Sequence, residues 1–470
     1  MQEVLSRRKE SALALPMIPS QTLRCGLPKR SGCVAVPLLA ALILSSGLGE
    51  EYRSEGLFVP SPDGKLVASV YEWAREGYKD DASAPTRGEY TVELRIRRLD
   101  GRQLLRVPVA HGDAYWEVDA AVHLAWSPNS RQVGYRSAGD LCVVNVLTGK
   151  RTKLSGSAGS FRWKDPSSVV FLEWAESSDF RLKWAWWFGD FSIVEAFLGT
   201  GESRRLFAAS AHDSFHARSS VYHNQFSPHG NLFVYCHGEG IKVIRVRDGA
   251  EQATLRGKLF PGFCWWDDAG NRCLITTLEK LPSDARPGQE TRERLELYCA
   301  HKRIFVDYTE KLRSLNNGYG QTPCPNASAR VWSPGGQWVL VEGCLERKDH
   351  SKGQEFGYAI KHWVFQAQPW SALCIEDAMG SAVVPRSWAP WIVAPTGSKI
   401  AFLTSSTDED AEGDVYVIPV ARGPNDRIDL GKPAKVAHAG VNSWFWSADG
   451  KSILTFNGRT FTKHGIPQAE

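Results

Sequence analysis

The sequence lacks the motifs that identify many enzymes. It has no Cys-x-x-Cys pair, which excludes zinc ribbons and thioredoxin-like redox centres. It also has no Gly-x-x-x-x-Gly-Lys phosphate loop, no dinucleotide-binding Gly-x-Gly-x-x-Gly turn and no Gly-x-Ser-x-Gly nucleophile elbow. Helical periodicity is nearly absent. Nucleotide, redox-cofactor and serine-hydrolase chemistry therefore have no support, and no cofactor is predicted.

A strong charge of one sign is missing as well. The chain has 56 basic and 52 acidic residues in 470, a net charge of +4. This excess is too small and too dispersed to predict a nucleic-acid partner. Because 43% of the residues are hydrophobic and 11% are aromatic, the chain has enough apolar material for a large core.

The amino-terminal region has the pattern of a secretion signal. Residues 34–44 are apolar and uncharged, a stretch that suits a signal-peptide core but is short for a membrane span. Lys29 and Arg30 precede it, and small residues follow it up to Gly49. We therefore predict a leader over residues 1–49 and export of residues 50–470 to the periplasm or the medium, without stable membrane insertion. The alternative is anchoring by an uncleaved amino-terminal segment.

Ten cysteines reduce to eight once the predicted leader is removed, and an even number in an exported protein permits disulfides. Cys264 and Cys273 flank a turn and would lie nearly opposite each other on antiparallel strands. A disulfide between them and two buried free thiols are equally compatible with the sequence.

One short signature returns eight times along the chain. It is a large apolar residue, often Trp, followed by a turn of the type Ser-Pro-Asp-Gly and then an alternating apolar run. The signatures begin at Pro60, Trp126, Trp163, Phe226, Trp266, Trp332, Val393 and Trp446.

The residue types of the signature are those of a type I turn between hairpin strands. Ser can cap the turn, Pro sets φ, Asp or Asn suits the third position, and Gly tolerates positive φ. Strand, turn and strand recur every 37 to 66 residues, a spacing typical of β-propeller blades. The 18 tryptophans are then expected to pack between blades rather than to form a sugar-binding platform.

The stretch from Val393 to Phe402, continuing to Val417, resembles the repeat of TolB-type propellers. The resemblance covers residues 58–460. That repeat also builds the propellers of prolyl oligopeptidase relatives and many exported bacterial proteins, so the resemblance implies a propeller and leaves the function open.

We therefore predict an all-β protein with a single β-propeller of eight blades, with seven as the alternative. The last unit ends near Phe461, so we expect it to complete its sheet with the chain start around residues 52–60.

Two sets of residues are candidate metal ligands. His212, His216 and His223 could bind a transition metal from one loop, with a polar surface loop as the alternative. Asp408, Asp410 and Glu412 alternate ahead of Gly413, as a calcium loop requires, with a solvated hairpin tip as the alternative.

The absence of catalytic motifs favours a monomeric, non-enzymatic scaffold that binds a protein, peptide or envelope component. The first alternative is a hydrolase or lyase with its site at the channel mouth, built from residues far apart in sequence. The second is a structural role in an envelope assembly.

Overall fold

The computed structural model describes residues 51–76, 87–114, 123–137, 139–175, 189–211, 225–237, 240–257, 259–280, 291–309, 328–347, 357–367, 371–379, 391–404, 412–440 and 443–467. These residues belong to one compact unit, Leu48–Glu470. The predicted leader lies outside them.

The protein is an eight-bladed β-propeller, as predicted. Each blade is an antiparallel sheet built from consecutive strands. The strands of blades 1 to 4 are β1 (Glu51–Pro60), β2 (Leu66–Glu76), β3 (Arg87–Arg98) and β4 (Gln103–Ala114); β5 (His123–Trp126), β6 (Gln132–Ser137), β7 (Asp140–Asn145) and β8 (Arg151–Ser155); β9 (Ala158–Asp165), β10 (Ser168–Trp174), β11 (Gly189–Phe197) and β12 (Ser203–Ala211); and β13 (Leu232–His237), β14 (Gly240–Arg245) and β15 (Glu251–Arg256). At the first-strand position of blade 4, the described residues contain a bridge from Phe226 to Phe233.

Blades 5 to 8 follow the same plan. Their strands are β16 (Leu259–Trp266), β17 (Arg272–Lys280), β18 (Thr291–Cys299) and β19 (Ile304–Asp307); β20 (Ser328–Trp332), β21 (Val339–Arg347), β22 (Gly357–Gln366) and β23 (Ser371–Cys374); β24 (Ile392–Val393), β25 (Lys399–Thr404), β26 (Glu412–Arg422), β27 (Ile428–Leu430) and β28 (Ala434–Gly440); and β29 (Trp444–Trp446), β30 (Ser452–Phe456) and β31 (Phe461–Gly465). One short helix, α1 (Ile375–Met379), follows β23, and a 3-10 turn covers Pro424–Asp426. No helix in the part of the chain that the structure describes has the length and apolar character needed to cross a bilayer.

Each signature turn joins the first and second strands of its blade. In blade 1, the Gly64 N–H donates to the carbonyl of Ser61 at 2.8 Å, and Ser61 Oγ accepts from the Leu66 N–H at 2.9 Å. Gly64 has a φ of +68°, and a Cβ there would lie 2.7 Å from the Cβ of Ala448 in blade 8. The serine cap recurs at Ser127, Ser227, Ser333 and Ser447. The serine of the signature therefore stabilises its own turn, and the glycine allows close contact with the turn of the neighbouring blade.

The signature tryptophans hold neighbouring blades together. The indole Nε1–H of Trp126 donates to the backbone carbonyl of Val59, in the preceding blade, at 2.8 Å. The same bond runs from Trp163 to Ala125 at 3.0 Å, Trp266 to Gln225 at 3.3 Å, Trp332 to Trp265 at 2.9 Å and Trp446 to Ile392 at 3.0 Å. All five indoles are buried. For these residues the packing role predicted from the sequence is confirmed.

The first strands form the inside of the ring. They contact each other from blade to blade, β1 with β5, β5 with β9, β16 with β20 and β20 with β24, and β29 of blade 8 returns to β1. The fourth strands occupy the opposite, outer edge of each sheet. Polar side chains on the first strands therefore lie closest to the propeller axis.

The predicted sharing of a sheet between the chain start and the last blade is wrong. β1 pairs with β2 inside blade 1, and β29, β30 and β31 form their own sheet. The reason is the signature itself, because the strand that precedes each turn is the first strand of that blade. The ring closes through side chains, with the Phe58 ring 5.7 Å from Phe445, 5.2 Å from Phe456 and 5.8 Å from Phe461.

A buried ion network supports the same seam. Glu55 on β1 accepts hydrogen bonds from Arg97 Nη2 at 2.8 Å, Arg95 Nη1 at 3.1 Å and Ser69 Oγ at 2.6 Å. The Arg97 guanidinium also lies 5.2 Å from the ring of Phe456 in blade 8. Burial by itself would raise the pKa of Glu55, but the hydrogen bonds from Arg97 and Ser69 and the charges of Arg97 and Arg95 outweigh it, so this pKa is lowered.

Cys264 and Cys273 are buried and are not joined by a disulfide. In the strand register Cys264 pairs with Ile275 and Cys273 pairs with Trp266, so the two are diagonal rather than direct neighbours. Burial raises the pKa of the Cys273 thiol. Of the two alternatives that the sequence left open, the structure has the two buried thiols without a disulfide.

A matched pair of substitutions tests the tryptophan bond. Trp444 and Trp446 lie on one strand and are both 3% exposed, but only Trp446 donates its indole N–H, since Trp444 Nε1 has no acceptor. We expect Trp446→Phe to lower the free energy of unfolding by about 1 kcal/mol more than Trp444→Phe, because it removes the hydrogen bond to the half-buried carbonyl of Ile392. Urea denaturation of both variants measures this, and equal losses would contradict it.

The Glu55 network predicts acid sensitivity. Because the folded-state pKa of Glu55 is lowered, its contribution to stability is present above the unfolded value of about 4.5 and is lost as the pH falls through the folded value. Glu55→Gln should cost about 3 kcal/mol at pH 7 and flatten the loss of stability below pH 5, as followed by urea denaturation between pH 7 and pH 3. The exposed Glu202→Gln serves as control, and an unchanged acid slope in Glu55→Gln would refute the assignment.

Candidate functional site

Three nitrogen-bearing side chains converge at the inner side of blades 2 and 3. His123 is the first residue of β5, Arg136 lies opposite it on β6, and Arg162 lies on β9 of the next blade. We call His123, Arg136 and Arg162 the inner basic cluster. Its members belong to strands at or next to the inner edge of their sheets, so the cluster lies near the propeller axis.

His123 is held as a neutral imidazole. Its ring lies 4.8 Å from the ring of Phe161 in blade 3. Burial first, and then the positive charges of Arg162 and Arg136, lower the pKa of His123 to about 3. The side chain nevertheless keeps some accessible surface. At neutral pH it can donate or accept a hydrogen bond, but it is a weak base.

Arg162 is a cation without a counter-ion. Its Nε is buried and has no hydrogen-bond acceptor, and no described carboxylate pairs with its guanidinium. Burial lowers the pKa of Arg162 to about 10, so the group still carries its charge at neutral pH. The side chain as a whole is half-buried. Because withdrawing an unpaired charge from water is costly, a group of this kind is a candidate functional residue.

The other polar groups of this region are already engaged. Arg136 is buried, and its Nη1 donates to the carbonyl of Ala158 at 3.5 Å. Ser160 Oγ donates to Gln225 Oε1 at 3.4 Å, and Gln225 Nε2 donates to the carbonyl of Val234 at 3.3 Å. These polar side chains thus extend from blade 2 to blade 4. Among them, the inner basic cluster is suited to bind an anion.

The predicted histidine site cannot be compared with the structure. His212, His216 and His223 lie outside the described residues, as do Asp408 and Asp410 of the predicted calcium loop. Within the described ranges, no group of three or more His, Cys, Asp or Glu side chains lies close enough to hold a metal ion.

Glu412 is described, and it lies beside a histidine. Its Oε2 lies 3.4 Å from Nε2 of His438 on β28. Asp414, two residues further along β26, contacts His438 Nδ1 at 2.8 Å and Lys435 Nζ at 2.6 Å. The hydrogen bond that His438 donates to Asp414, helped by Glu412, raises the pKa of His438. These carboxylates are therefore partly neutralised by the protein itself.

A second buried polar group lies between blades 6 and 7. His362 Nδ1 is 2.7 Å from Glu376 Oε1, and Cys374 Sγ donates to Glu376 Oε2 at 3.3 Å. The His362 ring stacks on Trp391 with 4.0 Å between centroids. The His362 N–H also donates to both oxygens of Glu376, at 3.1 and 3.0 Å, so the carboxylate anchors α1 to β22. We assign this group a structural role.

Sequence reasoning missed the inner basic cluster. A signal existed, since Arg162 stands between Phe161 and Trp163, and Arg136 follows Tyr135 inside an apolar strand. A charged residue flanked by core aromatics is unusual unless it is paired or functional. What the sequence does not contain is the adjacency of β5 and β9, which brings His123 next to Arg162.

No known protein family matches the sequence, and no curated protein matches it either. Among solved structures, the chain is similar to an oligogalacturonate lyase in complex with manganese, with 12% identity, a TM-score of 0.36, and coverage of 89% of this chain and 98% of that one. It is also similar to the tricorn protease, with 10% identity, a TM-score of 0.39, and coverage of 85% and 41%. A third likeness is to a prolyl endopeptidase, with 11% identity, a TM-score of 0.41, and coverage of 82% and 50%. The chain thus spans about half or less of the two proteases, and likenesses this distant say nothing about its activity.

Stability measurements can separate a ligand-binding arginine from a structural one. We expect Arg162→Met to leave the free energy of unfolding unchanged or to raise it by up to about 1 kcal/mol, because it removes a half-buried charge that no described carboxylate pairs with. Arg97→Met, which breaks the pairing with Glu55, should lower it by about 3 kcal/mol. A loss at Arg162 as large as the loss at Arg97 would show that Arg162 has a structural partner.

Proposed function

We propose that this protein is an exported, non-enzymatic β-propeller with TolB-like repeats. Its partner is a protein, peptide or envelope component that presents a carboxylate or another anionic group to the inner basic cluster. Binding places that anion against the guanidinium of Arg162, with the neutral imidazole of His123 as a further hydrogen-bond donor. The propeller holds the inner basic cluster in position, and the side chains of the cluster contact the anion.

The observation that carries this proposal is the unpaired guanidinium of Arg162. Several buried carboxylates among the described residues are compensated by basic side chains, as Glu55 is by Arg97 and Glu195 is by Lys164 and Arg204. Arg162 breaks that pattern at a place near the axis, where a ligand could supply the missing charge. An anion that meets a desolvated arginine gains strongly from the contact.

Binding is favoured over catalysis by the state of His123. A general base works best with a pKa near the operating pH, whereas the pKa of His123 is about 3. The alternative function, a hydrolase or lyase at the channel mouth, would need an acid–base group from elsewhere.

The proposed export is supported by the basic residues that precede the apolar core, by the core itself over residues 34–44, and by the small residues before Glu50. Amino-terminal sequencing of protein recovered from a secreting bacterial host tests it directly. A first residue at or near Glu50 is expected. Retention of the apolar core would support the anchored alternative.

Capture from the native envelope fraction tests the binding site. Wild-type protein and Arg131→Met, which removes an exposed arginine, should recover the same stoichiometric partner. Arg162→Met should recover at least about tenfold less, because it removes the charge that meets the partner. Equal recovery by all three proteins would overturn the assigned site. Stoichiometric metal in elemental analysis, without any partner, would favour the enzyme alternative.

A further inference from the structure

Blade 8 has no described fourth strand. In every other blade the third strand pairs on its outer side with a fourth: β3 with β4, β7 with β8, β11 with β12, β14 with β15, β18 with β19, β22 with β23 and β26 with β28. The third strand of blade 8 is β31, and among the described strands it pairs only with β30. Its outer edge is therefore a candidate surface for strand addition.

The chain connectivity shows which segment would fill this position. In each of the other blades the fourth strand comes just before the first strand of the next blade, as β4 precedes β5 and β19 precedes β20. After blade 8 the next blade in the ring is blade 1, whose first strand begins at Glu51. By this connectivity, the chain position of a fourth strand in blade 8 falls among the residues before Glu51, which lie outside the described part of the chain. This step rests on the proposed export, because cleavage after Gly49 removes those residues.

We infer that β31 of the processed protein accepts an extended, acidic segment of a partner protein as the fourth strand of blade 8. The site lies on the outer edge of the propeller and is separate from the inner basic cluster. Affinity would come from main-chain hydrogen bonds, and specificity from the side chains beside the edge.

The backbone of β31 is oriented for this pairing. The Asn457 N–H donates to the carbonyl of Thr460 at 3.3 Å, and the register from Phe456 with Phe461 to Ser452 with Gly465 has no bulge. Since hydrogen-bonded pairs alternate in an antiparallel ladder, the N–H groups of Phe461, Lys463 and Gly465 point away from β30. These groups, with the carbonyls of the same residues, form the set that an added strand would engage.

The charged side chains around the outer edge of β31 indicate which charge the partner segment would carry. Lys451, Arg459 and Lys463 are exposed on this hairpin. Asp449 is the nearby acid, and its pKa is lowered first by the hydrogen bond from Ser447 and also by the charges of Lys463 and Lys451. The surplus of positive charge favours a segment that carries Asp or Glu at the positions beside these lysines.

Two substitutions at one position separate backbone pairing from charge. Lys463→Pro removes the outward N–H and the charge, whereas Lys463→Gln removes the charge alone. The probe is a fluorescein-labelled peptide of nine residues that alternates Glu and Val, and the same peptide with a central proline is its control. The protein is the processed form purified after export, with its first residue established by amino-terminal sequencing.

We expect saturable fluorescence anisotropy with the processed wild type and slower amide hydrogen exchange over residues 461–465. Lys463→Pro should weaken binding at least about tenfold, and Lys463→Gln less than about fivefold, since an exposed charge contributes little. Near-identical melting temperatures of the two variants establish that the proline has not unfolded the blade.

Several results would overturn the inference. They are no saturable binding by the processed wild type, equal binding by the two Lys463 variants, or equal binding of the proline peptide. If sequencing shows that the segment before Glu51 is retained and this protein does not bind the peptide, the chain supplies its own strand and the partner assignment is wrong. Failure of the inner site is distinguishable, because Arg162→Met would then capture its partner normally whatever the peptide does at β31.

Discussion

The hydrogen bond from a signature tryptophan to the preceding blade connects the repeat to the ring. Blades of a propeller stack face to face, so the first strand of one sheet does not extend the sheet of the next. Backbone carbonyls on these inner strands would lose water without gaining a ladder partner. The indole supplies the donor and fills the space between blades with one side chain. Five of the eight signatures have this residue, and the tightly capped turn that follows sets its position.

Charged side chains withdrawn from water occur in two environments in the described part of the protein. Glu55, Glu195 and Glu296 each contact arginine or lysine side chains, which compensate their removal from water. Glu55 lies at the seam where blade 8 meets blade 1, a place that has no shared sheet to hold it. Among the described residues, no carboxylate compensates Arg162 in this way. This contrast within one molecule is the reason why we propose a ligand for Arg162 and a structural role for Glu55.

The fold could be predicted further than the site. Turn residues at Ser61, Ser127 and their equivalents specify a hairpin through contacts within five residues, so eight repeats predicted eight blades correctly. The closure of the ring was predicted wrongly, because the short last unit suggested a shared sheet. The structure pairs β1 with β2 instead and closes the ring with Phe58, Phe445 and Phe461. The candidate metal ligands of the sequence stay predictions, and Glu412 has a histidine neighbour that no local pattern indicated.

The sequence by itself determined the strand and turn pattern, the repeat and therefore the architecture, because these depend on residues that are neighbours along the chain. The tertiary structure decided which groups meet across blades. Arg162 and His123 are 39 positions apart in the sequence and become neighbours only because β5 and β9 lie side by side in the ring. The absence of an outer partner for β31 among the described strands is likewise evident only in the ring, since the order of the blades shows where a fourth strand would lie.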